Sequence, residues 1–191
     1  RHKADRPLRL TISDRAEPSR AREIEINPVT SEADLPAAVE WARARSYVLD
    51  PSPLQAARAE VGEAGVVALE IPRRPYSDLL HDFLGWGEGL FLLAEPAVSE
   101  ILAALEDALQ PLVAQVARLP GKVVYSLDNL DGQYISPRAF AQHLAPSYAR
   151  TAEAVHVQGK YLLVHAAGPV SHLLAPLAAV AVFGVAGVAG P

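Results

Sequence analysis

The sequence predicts an α/β protein built on a parallel sheet, and three observations carry that expectation. Apolar β-type runs at residues 65–71 (GVVALEI), 122–127 (KVVYSL) and 160–165 (KYLLVH) alternate with helical stretches through the second half of the chain. That βαβ order specifies parallel strands joined by right-handed crossovers. The stretch opened by Pro96 sets Val98, Ile101, Leu102, Leu105, Leu109, Leu112, Val113 and Val116 at the spacing of one buried helical stripe. Two strand runs then end in groups able to do chemistry, Asp128 and Asp131 after one and His165 after the other. An α/β barrel presents its active site in this way, at the C-terminal ends of parallel strands.

Taken in order, residues 1–28 read as an irregular surface stretch, with the alternation REIEIN at 22–27 suggesting one short strand. Ser31, with Asp34 three residues on, marks the start of a helix over 35–45. Pro51 and Pro53 interrupt the chain, and Pro53 can open the next helix, to Val61. After the strand at 65–71, two short helices at 76–85 and 88–94 are parted by Gly85-Trp86-Gly87. The long helix from Pro96 stops at Leu119-Pro120-Gly121, and the strand at 122–127 runs into an acidic turn, DNLDGQYISP. Ser136-Pro137 opens a helix to about Val157, which Gln158-Gly159 closes before the strand at 160–165. Residues 173–190 are uncharged and long enough to raise the question of a membrane span. Pro176, Gly184, Gly187 and Gly190 break the run and no Lys or Arg cluster flanks it, so a buried helix over 170–179 and a buried strand over 180–185 are expected instead.

A chain of 191 residues, 50% apolar and 20% charged, suits one globular domain with a sizeable core. The net charge of −5 argues against nucleic acid, which would need clustered Lys and Arg. Nine of the 17 basic residues precede Ser46, but acidic residues are interleaved among them, so that stretch reads as a solvated surface. Without Cys, neither a disulfide framework nor a thiolate metal cluster can be built. The chain also has no Met, which leads to the expectation of a processed, trimmed or partial sequence. Its polar beginning shows no signal-peptide pattern, and a cytoplasmic location is expected.

Each candidate residue has a structural alternative. Asp128 and Asp131 either serve a site or stabilise a turn, Asp131-Gly132 being turn chemistry in its own right. His165 is a site residue or a core histidine bonded to a backbone carbonyl. Tyr125 and Tyr134 either donate hydrogen bonds into a barrel mouth or pack, and Gly168 permits close approach of chain and ligand or merely turns. His143, His156 and His172 fall on expected helices and read as surface residues, while Trp86 and Phe91 read as core or pocket wall.

The run from Asp128 through DGQYISPRAF to Pro146-Ser147-Tyr148, then Gly159-Lys160-Tyr161 and His165-Ala166-Ala167-Gly168, resembles the uroporphyrinogen decarboxylase (URO-D) superfamily. Upstream, Arg73-Arg74-Pro75-Tyr76 leading to FLGWGEGLFLLAEPAVSEIL is similar to the same family, and the resemblance covers residues 28–191 in the order and spacing of its parts. It implies a (β/α)8 barrel of TIM type, of which this chain holds an incomplete middle portion: residues 1–28 as an irregular stretch and 29–191 as the barrel segment. The superfamily includes the decarboxylase of haem biosynthesis and cobamide-dependent methyltransferases. The resemblance therefore implies a small-molecule, tetrapyrrole or corrinoid-protein substrate, with a second copy in a homodimer and neither nucleic acid nor membrane as partner.

For the methyltransferase branch, the expectation adopted here, the resemblance implies a zinc ion that binds a thiol substrate, with a strand-end His and cysteines as ligands. His165 matches that His, but Ala167 stands where the pattern has Cys, and one ligand falls short of the three or four such sites need. For the decarboxylase branch no metal or organic cofactor is implied. A carboxylate stabilises the protonated intermediate there and Arg residues hold the substrate's acidic groups. Asp128 is a carboxylate at the expected barrel mouth, although the family's catalytic Asp belongs to another strand. The catalytic candidates are thus Asp128 and His165, and the substrate-binding candidates Asp131, Tyr125, Tyr134 and Gly168. A diverged barrel that binds a ligand without catalysis is the further alternative.

Overall fold

Alternating burial is what turns the apolar runs into strands. In β2 (Val123–Leu130), Val124, Ser126, Asp128 and Leu130 point to a covered face while the residues between them stay partly accessible. The same alternation holds in β1 (Ala68–Ile71) and β3 (Tyr161–Ala166), and β4 (Gly184–Ala186) adds a short fourth strand. The computed structural model describes residues 29–187 apart from Trp86, so the strand expected at 22–27 and the reading of Trp86 lie outside the described residues. The strands form one parallel sheet in the order β1-β2-β3-β4, with Leu69 beside Val124, Val124 beside Leu162, and Val164 beside Val185.

The helices are α1 (Leu35–Arg43), α2 (Ser52–Val61), α3 (Pro75–Asp78), α4 (Pro96–Arg118), α5 (Pro137–Ala139), α6 (Ala145–His156) and α7 (Leu174–Ala179). One side of the sheet packs on α4, α6 and α7: Leu69, Val124, Leu162 and Val164 meet Leu109, Val113, Tyr148, Val155 and Leu177 in one core. A second core lies farther out, where Leu35, Ala38 and Val39 of α1 meet Phe83, Ile101 and Leu105. Trp41 seats its ring edge-on against Phe83, with centroids 4.6 Å apart. The other side of the sheet, carrying Tyr125, Leu127, Leu163 and His165, is only partly covered.

Several expected boundaries shift, each for a local reason. β2 runs three residues past Leu127, so Asp128 belongs to the strand and not to the turn. Its polar end, Asp128-Asn129, hides the strand from a reading by hydropathy. Asn129 adopts φ 56°, and the register slips between Ser126 and Leu130, an irregularity that bends the strand end. The helix expected over 137–157 is interrupted by a π-type turn at Phe140–Leu144 before α6. Pro146 has no N–H to continue an α ladder, and widening the preceding turn accommodates it. A second π-type turn, Leu79–Leu84, extends α3 and ends at Gly85 with φ 72°. The stretch 88–94 is a 3-10 helix that leaves Phe91 84% exposed, so Phe91 is not core. The strand expected at 180–185 forms later, at Gly184–Ala186.

Phe83 is fully buried where α1, α4 and the π-type turn meet. Phe83→Ala should cost about 3–5 kcal/mol in urea denaturation, whereas Phe91→Ala should stay within about 0.5 kcal/mol of the parent.

Candidate active site

The parallel register pairs Tyr125 with Leu163, so His165 stands two residues farther along β3 on the same partly covered face, near the C-terminal strand ends. Tyr125 therefore reaches along the sheet to its neighbour. Its hydroxyl lies 2.7 Å from His165 Nδ1, and the rings meet edge to face with centroids 6.0 Å apart. Gly187, at φ 80°, passes over the imidazole so closely that a Cβ there would fall 2.4 Å from His165 Cε1. Only glycine permits that approach. A phenol bonded to one ring nitrogen fixes the imidazole's orientation and assigns the other nitrogen to a partner or substrate.

Asp128 points the other way, into the helix-covered face, and is fully buried. Its carboxylate accepts from the Arg74 backbone N–H, from Ser126 Oγ at 2.7 Å and from Tyr148 Oη at 2.7 Å. Burial, and then the adjacent Asp128 charge, push the Tyr148 phenol well above its usual range. Arg74 is itself buried, donating to Thr151 Oγ1 and, at 3.2 Å, to the Pro72 carbonyl. Asp128 thus joins β2, the start of α3 and α6, on the side of the sheet away from His165.

Asp131 and Gly168 meet where the loops after β2 and β3 are stapled together. Gly132 N–H donates to the Pro169 carbonyl at 2.9 Å and Ala167 N–H to the Leu130 carbonyl at 2.8 Å. Asp131 Oδ1 accepts from the Gln133 N–H at 2.8 Å, and a Cβ on Gly168 would fall 2.4 Å from Asp131 Cγ. Tyr134 sits in this loop 46% exposed, its N–H donating to the Asp131 carbonyl. His172 closes the pair of loops through Nε2 on the Ile135 carbonyl at 3.1 Å. His143, expected at the surface, instead stacks on Tyr76 at 5.0 Å, and burial depresses its pKa.

A further cluster at this end escaped the sequence reading. Asp78, almost buried, pairs with Arg45 at 2.6 Å, and Asp82 pairs with Arg73 at 3.2 Å. Arg45 lies over the Trp41 ring at 4.0 Å and donates to Tyr47 Oη at 3.1 Å. Burial raises the Asp78 carboxyl to about 7, helped by its hydrogen bond and repulsion with Asp82 and opposed by Arg45. His81, bonded to the Asn129 backbone, is held below its usual value by burial and by Arg73. The available signal was the spacing Asp78–Asp82, one helical turn, just after the end of β1. Acid groups with displaced pKa values at strand ends are a recognised mark of functional sites.

The residues do not fit the zinc site that the resemblance implies. His165 has no second donor at Ala167, and no group of three His, Cys, Asp or Glu among the described residues is arranged to hold a metal ion. No family model, curated protein or solved structure gives a significant match to this chain. No helix among the described residues is long and apolar enough to cross a membrane.

The folded protein holds the Asp78 proton more tightly than the unfolded chain does, so its contribution to stability is full below pH 3.8 and is lost as pH rises to about 7. Asp78→Asn should flatten stability across that window in urea titrations; an unchanged slope would mean the carboxyl is not displaced.

Proposed function

We propose that this chain is part of a (β/α)8 barrel enzyme of the URO-D superfamily, acting on a small molecule at the C-terminal ends of its strands. The strand order supports the barrel. Each crossover advances by one strand in the same direction and leaves its helices on one side, as a barrel wall does, whereas an open doubly wound sheet reverses order. The observation that carries the functional reading is the Tyr125–His165 hydrogen bond of 2.7 Å on the face that would line the barrel.

That pair suits proton transfer. With the phenol donating to Nδ1, the imidazole carries its own hydrogen on Nε2. His165 then delivers the Nε2 proton to a carbon left electron-rich by loss of carbon dioxide while Nδ1 takes the Tyr125 phenol proton, and solvent reprotonates the resulting tyrosinate. Arg73, whose side chain is 31% exposed beside Asp82, is the cation at this end for a carboxylated substrate. Asp128 positions rather than reacts, because its oxygens accept three hydrogen bonds behind the sheet. A tetrapyrrole-type decarboxylation therefore asks least beyond the residues described. Methyl transfer is the second reading, favoured by His165 standing at the end of β3, where the resemblance places the strand-end His of that branch, although the residues around it do not fit that branch's zinc.

The test uses the full-length protein with a carboxylated porphyrinogen, following carbon dioxide release, and in parallel a methyl-cobamide with a thiol. His165→Asn should lower decarboxylation by about 10²-fold or more, and Tyr125→Phe should lower kcat and move the pH profile. Turnover unchanged by His165→Asn sinks the assignment; methyl transfer without decarboxylation replaces the first reading with the second.

A further inference from the structure

A cavity of about 790 Å³ lies at the opposite end of the sheet from Tyr125 and His165, at the N-terminal ends of β1 and β2. It is an open cavity bordered by α2, by the chain leading into β1, and by the α4–β2 connection. Leu54 and Val61 of α2 face Val66, Val67, Leu119 and Pro120 across it. This volume is within the roughly 300–1,000 Å³ of small-molecule sites. It is also a site under little structural pressure to close. No residue of α2 is buried, and Val66 leaves 69% of its surface exposed at the rim.

The charges are one-sided. Arg58 and Lys122 line the cavity, and none of the described residues lining it is Asp or Glu. A third cation stands behind the wall: Lys160 donates from Nζ to the Leu119 and Gly121 carbonyls, each at 2.6 Å. Those two carbonyls, which would otherwise favour a cationic guest, are already engaged by an ammonium. Lys122 is close enough to add its repulsion to the burial that depresses the Lys160 pKa. An apolar chamber with two cations lining it, a third behind its wall and no carboxylate among its described lining residues is complementary to a guest with an apolar body and an anionic head.

We propose that this cavity binds an amphipathic carboxylate of fatty-acid type, its chain against Leu54, Val61 and Val67 and its head between Arg58 and Lys122. The site is independent of the strand-end chemistry. A ligand there bridges α2 to the α4–β2 connection, and so tightens a helix that otherwise rests lightly on the body.

Calorimetric titration of the full chain with dodecanoate, dodecan-1-ol and dodecyltrimethylammonium, each below its aggregation limit, tests the head and the body separately. Dodecanoate should bind, with the alcohol and the ammonium weaker by about tenfold or more. Arg58→Glu with Lys122→Glu, both at exposed positions, should weaken dodecanoate by at least about tenfold while leaving the circular dichroism unchanged. Ala59→Trp, which fills the chamber from α2, should abolish binding of all three, and His165→Asn should leave it intact. Equal affinity for the three heads, no dodecanoate binding, or indifference to the charge reversals overturns the proposal.

Discussion

The buried carboxylate of Asp128 is the constraint on which the arrangement of this sheet depends. A charge removed from water is tolerated only when its lone pairs are satisfied. Here the donors come from three segments, the start of α3, β2 itself and α6. Those bonds fix which face of β2 turns toward the helices, because strand residues alternate. With Asp128 and Ser126 committed to the covered side, Tyr125 and Leu127 must lie on the other, which brings the phenol to His165. The bend at Asn129 follows directly after this anchor, where the register against β3 changes.

Much of the scaffold was legible because its signals are local. The stripe from Val98 to Val116 reports a helix packed on one side, and α4 spans Pro96–Arg118. The start at Ser31 was equally plain, since the Asp34 carboxylate accepts from the Ser31 N–H at 3.0 Å. What escaped depends on partners distant in sequence. Asp128-Asn129 reads as a turn by composition, and only the donors from Arg74 and Tyr148 reveal a strand. Asp78 and Asp82 look like a solvated helical face until Arg45, 33 residues earlier, is seen to cover one of them. Tyr125 and His165 were each singled out, yet their meeting across 40 residues is a product of parallel register, which no short-range pattern encodes.

The two ends of the sheet divide their electrostatics. At the C-terminal end, Asp78, Asp82, His81, Arg45 and Arg73 form opposed pairs around groups with displaced pKa values, the setting in which protons move at neutral pH. At the N-terminal end, Arg58, Lys122 and Lys160 present one sign of charge beside apolar walls. The first arrangement combines both signs of charge and the second only one, so the two ends of one sheet are electrostatically distinct.

Among the described residues the strands shorten outward from the middle of the sheet, from eight residues in β2 and six in β3 to four in β1 and three in β4. An outer strand is a template onto which another chain can add, and its hazard grows with its length. Among the described residues, β2 and β3, which hold Asp128, Tyr125 and His165, are paired on both sides, so their backbone ladders are closed to a foreign strand.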